Sequence, residues 1–166
     1  MKNTRLIITG GTIDKKYNMF DGTMGFDQTH VHDMLKQSRF GGKIIVQELL
    51  MKDSLEMNAD DRCRIADAVL ESEEDKIVIT HGTDTMVNTG QAIAEHGIND
   101  RTVVLTGAMI PYSLGVDSDA QFNLGSALAY AHALPSGIYV AMNGESFPID
   151  NVQKDTSLGI FVPRFL

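Results

Sequence analysis

Three short segments of the sequence place a threonine hydroxyl beside glycine directly after an apolar, β-branched run. They are residues 9–12 (Thr-Gly-Gly-Thr), 80–85 (Thr-His-Gly-Thr-Asp-Thr) and 106–108 (Thr-Gly-Ala). Glycine lets backbone N–H groups approach a ligand closely, and a threonine hydroxyl at the same place can act as a nucleophile or a hydrogen-bonding group. This combination suits attack on a carbonyl carbon, with N–H groups stabilising the oxyanion.

Each segment also has a simpler interpretation. The Gly-Gly-Thr at 10–12 is, taken alone, more typical of a tight turn between a strand and a loop. Asp84 stands at the start of a predicted helix, where an N-cap is as good an explanation as a functional carboxylate. A phosphate-binding loop is a weaker alternative, because neither the G-x-G-x-x-G nor the G-x-x-x-x-G-K-[ST] spacing is present.

A threonine nucleophile also needs a base, because its hydroxyl is unreactive until a proton is removed. Lys154 follows the fifth predicted strand, 137–142, and could serve if burial lowers its pKa. Most lysines in proteins are solvated, however. The residues alone therefore leave Lys154 as a candidate without distinguishing it.

Five apolar runs predict strands, and four segments of helical periodicity lie among them. The predicted strands are 6–9, 43–50, 76–80, 102–106 and 137–142, and the predicted helices are 29–38, 59–71, 85–96 and 120–133. Alternation of strand and helix requires crossover connections, which predict a single-domain α/β fold with a doubly wound, flavodoxin-like, mostly parallel sheet and helices on both faces. Ligands bind at the carboxyl ends of such strands, where the three hydroxyl-bearing segments would meet.

Composition excludes several classes of function. The chain has 166 residues, 43% of them hydrophobic, which fits one globular domain over residues 1–166. Its net charge of −8 disfavours nucleic acid and anionic membranes as partners. The absence of a signal-peptide core or a membrane-length apolar run favours a cytoplasmic protein. Cys63 is expected to serve packing, and no metal site is expected from His30 and His32.

Taken together, the motifs resemble those of the bacterial-type L-asparaginases. The shared elements are T-G-G-T-I at 9–13, H-G-T-D-T-M at 81–86, and G-A-M at 107–109 followed by F-N-L at 122–124. The resemblance covers nearly the whole chain but only the N-terminal part of the usual enzyme, which carries a second, smaller domain. We expect a natural short-chain form consisting of the N-terminal-type catalytic domain. The resemblance implies hydrolysis of L-asparagine to L-aspartate and ammonia, with no cofactor.

The resemblance also implies a role for each motif residue. Thr12 would attack the side-chain amide carbon and form an acyl-enzyme ester, which water then hydrolyses. Thr83 would activate the nucleophile or the water, with Lys154 as its base and Asp84 holding both the lysine and the substrate's α-amino group. Lys154 is identified by its interval after the Met-Asn pair at 142–143.

Further motif residues are implied to bind the substrate. Ser54 lies in a turn similar to the one whose serine contacts the α-carboxylate in the family. Backbone groups of Gly11, Thr83 and Ala108 would form the oxyanion hole and a seat for the amide. Leu55 stands where many periplasmic members carry glutamine, which leaves the preference between asparagine and glutamine open.

Tyr17 corresponds to the family's mobile-loop tyrosine, although its loop at 15–25 departs from the family pattern after Ile13. The apolar segment at 158–162 is predicted to pack in a homo-oligomer interface. Two alternatives to an enzyme stay open. One is a non-catalytic module that binds asparagine or aspartate, and the other is an interaction domain with a vestigial pocket.

Overall fold

The computed structural model of the chain describes residues 3–98 and 100–165, so the outermost ends of the predicted domain 1–166 lie outside the described part. In chain order the strands are β1 (Thr4–Gly10), β2 (Lys15–Asn18), β3 (Thr23–Phe26), β4 (Ile44–Lys52), β5 (Lys76–Thr80), β6 (Thr102–Thr106), β7 (Gly137–Met142), β8 (Glu145–Pro148), β9 (Gln153–Asp155) and β10 (Ile160–Val162). The α-helices are α1 (Val31–Ser38), α2 (Ala59–Glu71), α3 (Met86–Glu95) and α4 (Ala120–Ala133).

The central sheet has six strands in the order β4-β1-β5-β6-β7-β8. The first five strands in this order run parallel, whereas β8 pairs with β7 in the antiparallel direction at the edge. This order confirms the predicted flavodoxin-like topology. The strand order reverses between β1 and β5, and ligands of doubly wound sheets bind at such a switch point, outside the carboxyl ends of the strands.

Helices cover both faces of the sheet, as predicted. Side chains of successive strand residues point to opposite faces, so each strand supplies two apolar layers. One layer packs under α2 and α3, and its buried members include Ile7, Ile77, Leu105, Ile65 and Ile93. The other packs under α1 and α4, and its members include Leu6, Val78, Val104, Met34 and Leu124. The two layers hold the strand ends rigidly at one edge.

Local sequence signals explain where the helices begin and end. Asn58 caps α2 as predicted, because its side chain accepts a hydrogen bond from Asp61 N while the Asp61 carboxylate accepts one from Asn58 N. Gly97, just past α3, has a φ of 75°, which is the left-handed conformation typical of a residue after a helix. The helix predicted at 29–38 begins two residues later, at Val31, because Thr29 and His30 bind the Asp14 carboxylate instead.

Two expectations need correction. The predicted loop at 15–25 is a β-hairpin of β2 and β3. Cys63 is exposed, so the prediction that it serves packing is wrong. In the segment at 158–162, Phe161 is buried in the chain's own core, whereas Leu158 and Ile160 are exposed, so the packing of this segment in a homo-oligomer interface stays a prediction. Among the described helices, none has the length and apolar character needed to cross a bilayer.

Candidate active site

The loops that follow β1, β4 and β5 touch one another at two glycines. A Cβ atom placed on Gly11 would lie 2.3 Å from Gly82 N, and one placed on Gly82 would lie 2.5 Å from Ser54 Oγ. Gly11 also has a φ of 84°, which side chains rarely tolerate. Only glycine permits this approach, so the Gly-Gly-Thr segment does more than make a turn. Thr12 directly follows Gly11 and Thr83 directly follows Gly82, so the close packing of the two glycines brings the two threonine loops together.

The loop after β6 joins the same edge. A Cβ atom on Gly107 would lie 2.3 Å from His81 O, and His81 N donates a 2.8 Å hydrogen bond to Thr106 O. Ala108, the next residue, is fully buried. The three hydroxyl-bearing segments predicted from the sequence therefore do meet at one edge of the sheet.

Lys154 reaches this edge from β9 and makes the contacts expected of the proposed base. Its Nζ donates hydrogen bonds to Thr83 Oγ1 at 2.8 Å and to Asp84 Oδ1 at 2.6 Å. The lysine side chain is only 13% exposed, whereas that of Asp84 is 46% exposed. The helix α3 that follows has Thr85 as its N-cap residue. Asp84 is thus a partner of the lysine and not the helix cap that the sequence left open.

Thr12 is half-buried and begins a short 3-10 turn, Thr12–Asp14. The turn closes through a 3.1 Å hydrogen bond from Asp14 N to Gly11 O. The Asp14 side chain is fully buried, and its Oδ1 accepts hydrogen bonds from Thr29 Oγ1 and His30 N at 2.9 and 2.8 Å. Burial raises the pKa of Asp14, and these hydrogen bonds offset the effect only in part. This carboxyl, which fastens the turn carrying Thr12 to the start of α1, was missed from the sequence.

Ser54 lies in a 3-10 turn, Ser54–Glu56, that is capped by Asp53. Its backbone is fixed because Ser54 O accepts a 2.8 Å hydrogen bond from Thr85 Oγ1. The residue is 1% exposed, and its buried hydroxyl has no hydrogen-bond partner among residues 3–98 and 100–165. A buried polar group left unpaired costs about 1–3 kcal/mol, so this hydroxyl is available for a ligand. Leu55, next to it, is exposed.

Tyr17 lies on the outer β2–β3 hairpin and is 56% exposed. Its hydroxyl faces the hairpin turn, 3.9 Å from where a Cβ atom on Gly22 would lie. The structure therefore does not bring Tyr17 into the hydrogen-bonded group around Lys154. The base of the hairpin is nevertheless tied to the Ser54 turn, because the Lys15 ammonium pairs with Asp53 and lowers the pKa of that carboxyl.

His81 is the motif residue for which the sequence predicted no role. Its ring is fully buried, with Nδ1 2.8 Å from Gly82 O and Nε2 2.8 Å from Thr89 Oγ1. Because a carbonyl oxygen can only accept, Nδ1 carries the proton and Nε2 accepts from the Thr89 hydroxyl. Burial lowers the pKa of His81 to about 4. The residue is a neutral brace that fixes the Gly82 turn.

Hydroxyl, ammonium and carboxylate groups lie on the loops that meet at this edge of the sheet, together with backbone N–H groups at the strand ends. Groups of these types can support acyl transfer. Across residues 3–98 and 100–165, no group of three or more His, Cys, Asp and Glu side chains has the arrangement of a metal site.

Comparison with known proteins extends these observations. Residues 3–160 match the family model described as Asparaginase, N-terminal. An L-asparaginase from Thermococcus kodakarensis is 41% identical over 123 residues, which are 72% of this chain and 37% of that protein. A subunit of the glutamyl-tRNA(Gln) amidotransferase from Methanococcus maripaludis is 28% identical over 155 residues, covering 88% of this chain and 36% of the relative.

A solved structure shows the same fold. The structure described as a probable cytoplasmic L-asparaginase from Campylobacter jejuni superposes with a TM-score of 0.86 at 28% identity. The match covers 100% of this chain and 54% of that one. This chain thus spans a little over a third of the curated relatives' length and about half of the solved structure.

Proposed function

This chain belongs to the asparaginase family, and on that premise we propose that it hydrolyses L-asparagine to L-aspartate and ammonia through a Thr12 acyl-enzyme. The observation that carries the proposal is the contact of Lys154 Nζ with both Thr83 Oγ1 and Asp84 Oδ1. About 70 residues separate the lysine from these partners. The low exposure of the Lys154 side chain and its long-range hydrogen bonds distinguish it from the solvated lysines that most proteins carry.

The proposed reaction has two steps. In the first, Thr12 Oγ1 attacks the amide carbon and its proton passes to the departing nitrogen. Ammonia is released, and the aspartyl group stays bound to Thr12 as an ester. In the second, water attacks the ester, and one of its protons passes through Thr83 to the Lys154 side chain, which must be a neutral amine at this point. The lysine then returns a proton through Thr83 to Thr12 Oγ1 as the ester bond breaks, so aspartate is released, the Thr12 hydroxyl re-forms and the amine is regenerated. Backbone N–H groups at Gly11 and Thr83 would stabilise the oxyanion in both steps.

The recognition groups fit the two ends of an α-amino acid. The unpaired, buried Ser54 hydroxyl would donate to the α-carboxylate. The partly exposed Asp84 carboxylate would pair with the α-ammonium group. Ala108 would seat the amide through its backbone. Because Ser54 and Ala108 are both buried, substrate would enter from the more open side, between Thr12 and Asp84.

A second candidate is a module that binds asparagine or aspartate without turnover. The position of Tyr17 favours it, because this residue, which corresponds to the family's mobile-loop tyrosine, lies on the outer hairpin and outside the hydrogen-bonded group around Lys154. Such a module would keep the Ser54 and Asp84 contacts but activate Thr12 poorly.

A cytoplasmic location and a homo-oligomeric state remain predictions. Light scattering that gives a clean monomer would contradict the predicted homo-oligomer.

The test is ammonia release from L-asparagine and, separately, from L-glutamine. Thr12→Ala should lower the rate on the order of 10³-fold or more if the hydroxyl forms the covalent intermediate. Thr156→Ala, which removes an exposed threonine hydroxyl, is the matched control and should act like the wild type. If the wild type releases no ammonia while asparagine or aspartate still raises its melting temperature, the protein is a binding module and not an enzyme.

A further inference from the structure

Asn123, on α4, has a fully buried side chain that uses all of its main hydrogen-bonding groups. Its Nδ2 donates to Gly107 O at 3.0 Å and to Asp119 Oδ2 at 2.8 Å, and its Oδ1 accepts from Asn143 N at 2.9 Å. The orientation of the amide is unambiguous, since Gly107 O can only accept and Asn143 N can only donate. A buried group with every partner in place fixes those partners in one arrangement.

Asp119, directly before α4, completes the arrangement. Its carboxylate accepts hydrogen bonds from Met109 N at 3.0 Å and from Ile110 N at 2.9 Å. Hydrogen bonds to a charged acceptor are about twice as strong as neutral ones. Ala108 is therefore bracketed, because Asn123 holds the residue before it and Asp119 holds the residue after it.

The third contact of Asn123 extends the arrangement to the end of β7. Asn143 and Gly144, between β7 and β8, have φ angles of 55° and 85°, as a tight hairpin turn requires. Asn123 Oδ1 receives the backbone N–H of Asn143 in this turn. One side chain thus ties the loop after β6 to the loop after β7, and the chain runs on from there to Lys154.

We propose that Asn123, with Asp119, is a positioning residue for amide hydrolysis that holds the backbone of Ala108 where the substrate's amide must lie. This inference rests on the proposed function. Neither side chain reaches the reacting atoms, and both act through the loop at 107–110. A misplacement of about 1 Å in a reacting group can cost on the order of 100-fold in rate, so the loop's position should appear in kcat.

The test compares variants that keep shape but reverse hydrogen-bonding character. Asn123→Asp puts a carboxylate oxygen against Gly107 O and the Asp119 carboxylate, while Asn143 N keeps its acceptor. We expect kcat for L-asparagine to fall by roughly 100-fold. The dissociation constant of L-aspartate should change little, because Ser54 and Asp84 would bind its α-carboxylate and α-ammonium groups.

Asp119→Asn is the second variant, in case Asn123→Asp does not fold. It places an amide NH₂ where the carboxylate now faces N–H donors, so kcat should fall again with aspartate binding kept. Asp117→Asn, which changes an exposed carboxylate two residues away, is the matched control and should leave both quantities unchanged.

Four outcomes separate the possibilities. A selective loss of kcat in both variants, with aspartate bound as in the wild type, supports the positioning role. An active wild type whose variants keep kcat within about threefold overturns that role alone, since a loop misplaced by about 1 Å should cost far more. Equal losses of kcat, aspartate binding and melting temperature overturn it too, because they indicate a merely structural role. A wild type that releases no ammonia overturns the proposed function, and the positioning role with it.

Discussion

Replacement of His81 should change how the stability of the protein depends on pH. Burial holds the pKa of this imidazole at about 4, compared with its ordinary value of 6.5. An unfolded chain therefore takes up a proton near pH 6.5, while the folded chain stays neutral until about pH 4. The contribution of His81 to stability is fully present above pH 6.5 and is lost as the pH falls towards 4.

The size of this loss follows from the two pKa values. A difference of one pKa unit corresponds to about 1.4 kcal/mol. Between pH 7.5 and pH 5 the wild type should lose about 2 kcal/mol of unfolding free energy through His81, and by pH 4 about 3 kcal/mol. Protonation at Nε2 would also break the hydrogen bond from Thr89 Oγ1, which is consistent with the neutral form being favoured.

The assay is urea unfolding, followed by circular dichroism at pH 7.5 and pH 5, of the wild type and His81→Asn. The asparagine amide can still donate to Gly82 O but cannot take up a proton. The variant should be less stable than the wild type at pH 7.5. The difference in unfolding free energy between the two proteins should be about 2 kcal/mol smaller at pH 5. His96→Asn removes an exposed histidine and controls for the substitution itself. A gap that is the same at both pH values would refute the reasoning that a buried, neutral imidazole braces the turn.

Four further substitutions test other features. Gly82→Ala should lower the urea midpoint and abolish ammonia release, because its Cβ atom would lie 2.5 Å from Ser54 Oγ. Gly125→Ala should raise the melting temperature, since Gly125 is an exposed position inside α4 with open space around it and alanine favours a helix by about 1 kcal/mol. Asn58→Ala should cost about 1 kcal/mol of unfolding free energy through loss of the α2 cap. Lys154→Met keeps the apolar stem, so it should reduce ammonia release on the order of 10³-fold or more while leaving the circular dichroism spectrum unchanged.

The sequence predicted the sheet and helices well because their signals are local. Continuous apolar runs such as 77–79 and 103–105 predict strands buried on both faces, and Asn58 predicts the start of α2. The β2–β3 hairpin was missed although Asp21 and Gly22, a pair that favours tight hairpins, lie at its turn. Its strands are mostly exposed, so they lack the alternation of apolar and polar residues on which a strand prediction depends.

The part of the site that could be predicted consists of residues that lie in recognisable sequence motifs. Thr83, Asp84 and Lys154 form the expected contacts. The parallel sheet accounts for the position of the Thr83 loop at the strand ends, whereas Lys154 lies on a separate two-stranded sheet and was identified by its interval after the Met-Asn pair. The supporting groups were not predictable, because their importance lies in burial and in partners far along the chain. Asp14 looked like an ordinary turn residue, and nothing in the sequence shows that its carboxylate binds Thr29 and His30.

The placement of Lys154 also has a consequence for the order of folding. Among the strands of residues 3–98 and 100–165, its strand pairs with β10 alone, in a two-stranded sheet separate from the six-stranded one, and the hydrogen-bond partners of Lys154 lie about 70 residues earlier. Closing so long a loop costs conformational entropy before any contact repays it. The pairing of β1 with β5 closes a loop of similar length, but buried apolar residues on both faces of these strands repay that cost, whereas the short strand β9 has no buried residue. During refolding, helix and sheet signals should therefore return first, and the lysine should dock last. For that interval the protein would carry its complete scaffold and still lack the base on which the proposed chemistry depends.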